Sequence, residues 1–253
     1  NNNRSQFTEV MGSRSFLSKV LKGAEWSQVR DYLSPAILDV LKPADFRRQA
    51  VSLGRPFIQR SYWRKQRDAV LENLPDNLFS GDSADSFGSS DASNVLRAQK
   101  ILELYFYQIE NFDAAILDLR SQSFVPGGNK LGWEPSPLFI EWEHEFICGL
   151  RQIYRGFYGG HDDEFTAGLK SLNLLEARDI FTKHFGEGNQ TEVRFELSHF
   201  HDTFHQTFTR CKDAGIQLHP NFLGLGLMLA SLYEHLEEMN VPCDVRAAYE
   251  KVA

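Results

Sequence analysis

Residues 194–208, RFELSHFHDTFHQTF, gather His199, His201 and His205 beside Glu196 and Asp202, in a chain that has 8 histidines. Imidazole and carboxylate groups this close together are the ligand types of zinc and iron. Two spacings bear on that chemistry. Glu141/His144 and Glu196/His199 stand at i, i+3, the Glu-x-x-His pairing with which helical bundles hold two iron atoms. Such ligands must project into the bundle. At about 100° per residue, Leu197, Phe200, Phe204 and Phe208 mark an apolar face, and His199 and Asp202 fall well away from it. In the earlier stretch Phe139, Trp142, Phe146, Leu150, Ile153 and Phe157 form the apolar face. Glu141, His144 and Glu145 take the polar side with Arg151 and Arg155. Solvated, salt-bridged helix faces therefore outweigh a two-pair iron site. His201 and His205 fit a metal better. At i, i+4 on the edge of an aromatic face, both imidazoles can ligate one divalent metal, iron or zinc, with Glu141, Glu143 or Glu145 of a neighbouring helix as a third ligand. The commoner role of such flanking histidines is hydrogen bonding at the rim of a core. HEFICG is not HExxH, because Cys148 stands where the second histidine belongs.

A second group of side chains is basic. Residues 45–69 carry Arg47, Arg48, Arg55, Arg60, Arg64, Lys65 and Arg67 against Asp45 and Asp68, a local balance of +5. Arg60, Arg64 and Arg67 recur at i, i+4, i+7 on one helix face, a stripe suited to a phosphate, an acidic partner or an anionic surface. The ordinary reading is a solvated face paired with the chain's own carboxylates. Nucleophile and phosphate-loop motifs are absent, and GLGLM at 224–228 lies within a helical pattern, where its glycines permit close helix packing. Cys148 shares the polar side of its stretch with His144 and Arg151, neighbours that can lower a thiol pKa without making a catalytic arrangement.

The elements that must position these groups are helical by pattern. Helices are expected over 7–21 and 26–42, and over 44–74 with an interruption at Gly54 and Pro56. A central buried helix is expected from Asn94 on, with Ile101, Leu104, Tyr105, Ile109, Phe112, Ile116 and Leu119 at helical spacing. A small hairpin fits 124–133 around Gly127 and Gly128. Further helices are expected near 138–158, 162–172, 175–185, 189–213, 220–239 and 244–252. Pro220 is expected at N1 and Asp244 at an N-cap. Together these predict an all-α fold, a single bundle-like domain of about ten helices. It divides into N-terminal helices over 1–74, a flexible Ser/Asp/Gly loop over 75–92 and a main bundle over 93–253.

Composition bounds the function classes. The net charge of -7 argues against a duplex nucleic-acid binder, which needs a basic footprint to neutralise phosphates. Three well-separated cysteines without a CxxC suggest neither a disulfide framework nor a zinc ribbon, so a reducing cytoplasm is the expected compartment. No apolar run approaches the length of a membrane span and no signal peptide is expected. The opening Asn-Asn-Asn, without Met, is compatible with a native start upstream of Asn1. Phe supplies 20 residues, so the core is expected to pack around rings.

The segments IYRGFYGGHDDEFTAGLKSLNLL and DAGIQLHPNFLGLGLMLASLYEHLEEMNVPCDV, spanning about 150–246, resemble the helical C-terminal tail of AarF/UbiB-like atypical kinases. The resemblance implies a kinase-derived or pseudokinase-like helical module. The family's Lys-x-Gly-Gln segment, His-Ala-Asp-Pro-His-Pro-Gly-Asn loop and Asp-Phe-Gly motif are missing here, so no catalytic residue carries over. The functional expectation is a binding protein with an aromatic-lined pocket or groove for a hydrophobic small molecule or a partner helix. The alternatives are a ferritin-like or haem-oxygenase-like oxidative metalloenzyme, and an adaptor that meets an acidic partner through Arg60, Arg64 and Arg67.

Overall fold

The computed structural model describes residues 37–184 and 192–253. The helix expected over 7–21, and the start of the one over 26–42, lie outside the described residues. The described chain begins with α1 (Ile37–Val40), α2 (Pro43–Ile58) and α3 (Arg60–Leu71). Pro43 occupies the first turn of α2, as expected, because a helix needs no N–H there. Pro56 lies inside α2, and the chain breaks after it, at Gln59, where the backbone leaves helical geometry at φ -106° and ψ 83°. The break therefore comes after the Gly54–Pro56 interruption that the sequence suggested.

The Ser- and Asp-rich segment that follows is anchored. Gly81 N donates to Asn129 O at 2.8 Å and Phe87 N to Gly128 O at 3.1 Å, and Leu78 and Phe87 are buried. It therefore lies against the expected hairpin, which is present as β2 (Phe124–Gly127) and β3 (Lys130–Trp133) with Gly128 at φ +67° in the turn.

The central helix α4 (Asp91–Asn111) starts at Ser90, whose hydroxyl accepts from Ser93 N at 3.2 Å. It buries Ile101, Leu102, Leu104, Tyr105, Phe106 and Ile109, which lie around more than one face. It does not run on to Leu119. Residues Ala114–Ile116 form β1, antiparallel to β4 (Phe139–Glu141), with Ala115 opposite Ile140. The buried amide of Gln108 secures this switch, accepting from Ile116 N at 2.8 Å and donating to Ile116 O at 3.3 Å. Ile116 and Leu119 are buried as expected, but from extended backbone.

Beyond the sheet come α5 (His144–Gly159), α6 (Asp162–Ser171), α7 (Arg178–His184), β5 (Glu192–Val193), α8 (Leu197–Asp213), α9 (Phe222–Met239), β6 (Cys243–Asp244) and α10 (Val245–Glu250). The fold is thus mostly helical with small two-stranded sheets, not strictly all-α. The helix expected over 138–158 begins only at His144, and the described part of that expected over 189–213 opens with β5 and turns helical at Leu197. Asp244 is the N-cap of α10, its carboxylate accepting from Ala247 N at 2.9 Å. Helices α5 and α6 meet backbone to backbone. A Cβ on Gly156 would lie 2.2 Å from Phe165 N, and one on Gly168 2.7 Å from Ile153 N. Gly224 leaves room for a side chain of β4, since a Cβ there would meet Ile140 Cδ1 at 2.4 Å. Helix α9 is buried nearly all round, from Phe222 through Leu236, and a continuous apolar core joins it to α4, α5 and α8. Each fully buried Leu or Phe in that core contributes roughly 1.5–3 kcal/mol.

Candidate functional site

Among the described residues, the histidine cluster gathers no third ligand for a metal. His201 and His205 lie on α8 with parallel rings 5.9 Å apart, and His201 Nδ1 is 3.4 Å from Asp202 Oδ1. Glu141 belongs to a strand and accepts from the Tyr62 hydroxyl at 3.0 Å, while Glu145 is exposed in the first turn of α5. Among the described residues no three His, Cys, Asp or Glu side chains come together as a metal site. The Glu-x-x-His spacings fail for a local reason. Glu141 precedes its helix and Glu196 is the residue before α8, so neither pair stands on one helix face. The aromatic face of α8 is as expected, with Leu197, Phe200, Phe204 and Phe208 buried. Cys148 is exposed with Sγ 3.6 Å from His144 Nε2. Arg151 is occupied elsewhere: it donates to Ile109 O at 2.7 Å and Phe112 O at 2.8 Å, closing the C-terminal end of α4.

The arginine stripe is real but uneven. Arg67 is bound to its neighbour Asp68 at 2.8 Å, whereas Arg60 and Arg64 are exposed and make no ion pair among the described residues. Arg55 lies over the Tyr62 ring at 4.1 Å.

Two arrangements escaped the sequence reading. The first is a buried polar lock at 117–120. The Asp118 carboxylate accepts from Arg120 Nε at 2.8 Å, Arg120 Nη2 at 3.0 Å, Ser123 Oγ at 2.6 Å and Ser136 N at 2.8 Å. Burial alone raises its pKa, but the Arg120 guanidinium and the Ser123 and Ser136 bonds outweigh burial and hold it below the usual carboxylate range. From α9, Ser231 Oγ accepts from Leu119 N at 3.2 Å, and His235 Nδ1 donates to Leu119 O at 2.8 Å. His235 Nε2 has no hydrogen-bond partner, and burial pushes the imidazole down to about 3. With Asp118 and His235 wholly buried and Arg120 at 1% exposure, this network positions backbone and offers no substrate access. ILDLRS carried its signal, since two opposite charges at i, i+2 inside an apolar run share one side of an extended chain.

The second is a tyrosine cluster that opens to a cleft. Tyr105 and Tyr154 share a hydroxyl–hydroxyl hydrogen bond, Phe106 packs edge-on to Tyr154 at 5.4 Å, and Tyr158 stacks on Tyr249 at 4.9 Å. Burial raises the pKa of Tyr105, Tyr154, Tyr158 and Tyr233 well above the ordinary phenol value, and that of Tyr249 to about 12. The cavity enclosed by Tyr105, Tyr154, Tyr158 and Tyr233 is about 30 Å³, which admits a water-sized guest. Outside it, Tyr249 lines a cleft of about 780 Å³ together with Glu110, Arg155, His161, Asp162, Asp163 and Glu164. Asp162 pairs with Arg178, and Glu164 with Arg155 at 3.3 Å. Glu110 lies beside the Tyr249 hydroxyl, and its Oε1 is buried without a partner. Burial raises the Glu110 pKa, opposed by Arg151 and Arg155. Nothing in the sequence set Glu110 apart, because a lone carboxylate at the end of an apolar helix is common.

Among the described residues, no helix is long and apolar enough to cross a membrane. The chain matches no protein-family model and no curated protein.

Proposed function

We propose that this chain is a binding protein for a small organic molecule with an apolar body and a cationic group, taken into the cleft beside Tyr249. One observation carries the reading: Glu110, whose Oε1 is buried without a partner, belongs to the lining of a cleft of about 780 Å³ that Tyr249 also borders. That volume falls within the range of small-molecule sites, roughly 300–1,000 Å³, whereas the inner tyrosine cavity does not. The lining holds four carboxylates against Arg155, which favours a cation over an anion. With a turn of the Glu110 carboxylate toward the cleft, an ammonium or guanidinium group would satisfy its orphaned oxygen, a charged hydrogen bond worth about 1.5–3 kcal/mol. Tyr249, buried against Tyr158, floors the cleft, and the apolar part rests over its exposed edge. The likeness to a kinase tail adds no residue to this reading, since the catalytic motifs are missing.

Calorimetric titration of the full chain with an arylalkylammonium salt, its alcohol analogue and its carboxylate analogue tests the reading. The ammonium should bind at least about tenfold more tightly than the alcohol, and Glu110→Gln should abolish that preference. Equal binding of all three, or a preference that survives Glu110→Gln, would overturn it.

A further inference from the structure

The outer face of α2 and α3 combines charge and exposed apolar side chains in a way that the cleft does not use. Val51 and Ile58 are 56% and 73% exposed, more than any other large hydrophobic residue described. They stand seven residues apart on α2, two turns and about 10 Å along the axis. Arg55 lies between them, and Arg60, Arg64 and Lys65 follow on α3, all exposed and without ion pairs among the described residues. The +5 of residues 45–69 sits in a chain of -7, so the remainder carries -12.

We infer that this face docks an acidic amphipathic helix of a partner protein. The partner's apolar side chains at i and i+7 cover Val51 and Ile58, and its Asp or Glu side chains meet Arg60, Arg64 and Lys65. Three observations select this occupant. Six of the seven basic residues are arginines, whose planar forks match carboxylates. Trp63 is buried, Phe57 and Tyr62 are half-buried against the core, and two exposed aliphatic residues are too few to insert into a lipid surface. Residues 1–36 carry five basic side chains against three acidic ones, so the chain's own N-terminal segment has the wrong charge for this face.

The test uses the full chain and a designed helical peptide with leucines at i and i+7 flanked by glutamates. Fluorescence anisotropy should show binding that weakens as salt rises. Arg60→Glu/Arg64→Glu should weaken it at least about tenfold and flatten its salt dependence. Ile58→Ser should weaken it severalfold while leaving the salt dependence in place. Both variants change exposed side chains, and unchanged melting curves confirm that they fold. Absence of peptide binding, or equal binding of a lysine-substituted version, overturns the proposal. So does binding to phosphatidylserine vesicles in place of the peptide, which would make the face a membrane surface. Concentration-dependent self-association lost in the double variant would assign the face to a second copy and overturn it as well.

Discussion

Arg120 donates from Nε to Oδ1 of Asp118 at 2.8 Å, two residues away along an extended chain, with both side chains removed from solvent. The pair fastens residues 117–120 between the β2–β3 hairpin and α9. Ser136 N and Ser123 Oγ complete the carboxylate, and Trp133 Nε1 donates to Asp118 O at 3.0 Å. Removing one partner strands the other charge in the interior. Asp118→Ala should therefore destabilise the protein by about 3–5 kcal/mol. Urea unfolding followed by circular dichroism measures this. A loss below about 1 kcal/mol would show that Arg120 finds water or another acceptor.

The buried imidazole of His235 makes stability depend on pH. Its pKa is about 3 in the folded chain, below the ordinary value of 6.5, because burial disfavours the charged form. Below pH 6.5 the unfolded chain takes up a proton that the folded chain refuses. The His235 contribution is thus intact at pH 7.5 and lost as pH falls toward 3. Between pH 7.5 and pH 5 the loss amounts to about 2 kcal/mol. His235→Gln should lower stability at pH 7.5 yet reduce its fall between these two pH values by that amount. An identical fall in the variant sinks the assignment.

Close contact between α5 and α6 depends on glycine at 156. A methyl group there meets the backbone of Phe165, which cannot yield as a side chain does. Gly156→Ala should displace α6 and cost several kcal/mol, in the upper range for single substitutions. Gly160→Ala is the control. No atom lies within 4 Å of its added Cβ, so only the strain of φ +72° counts, about 1 kcal/mol. Thermal melting of the two variants should separate them clearly. Equal midpoints would mean that the interface relaxes freely.

The helical periods of α4, α8 and α9 were legible because their apolar residues recur over many turns: Phe200, Phe204 and Phe208 fall on the buried face that the spacing predicted. Residues 112–119 and 138–143 were not. Short apolar runs such as AAIL and LFI suit a buried strand as well as a helix, and what decides is Gln108, a tertiary partner that no local period reveals. The same two switches place Glu141 on a strand and not on the expected helix, since one helix ends at Asn111 and the next starts at His144. Helix α5 also hid a close-packing role in Gly149 and Gly156, which look like ordinary interruptions until α6 lies against them.

Glu110 should show opposite effects on stability and binding. Its folded pKa is raised above the unfolded value, chiefly by burial, so the folded chain holds this proton more tightly. Stability from this group is present at low pH and declines as pH rises through the folded pKa. At neutral pH the ionised carboxylate is a liability in the empty protein, with Oε1 buried and unbonded. Glu110→Gln keeps the shape of the side chain and removes the charge. The variant should melt at a higher temperature than the parent at pH 7.5, with the difference shrinking toward pH 4. It should also lose the preference for an ammonium ligand. Adding that ligand should raise the melting temperature of the parent more than that of the variant, because the tighter binder gains more stability by mass action. A variant that melts lower than the parent at pH 7.5 would mean that Glu110 stabilises the fold through bonds of its own, and the cleft would lose its reason for holding an unpaired carboxylate.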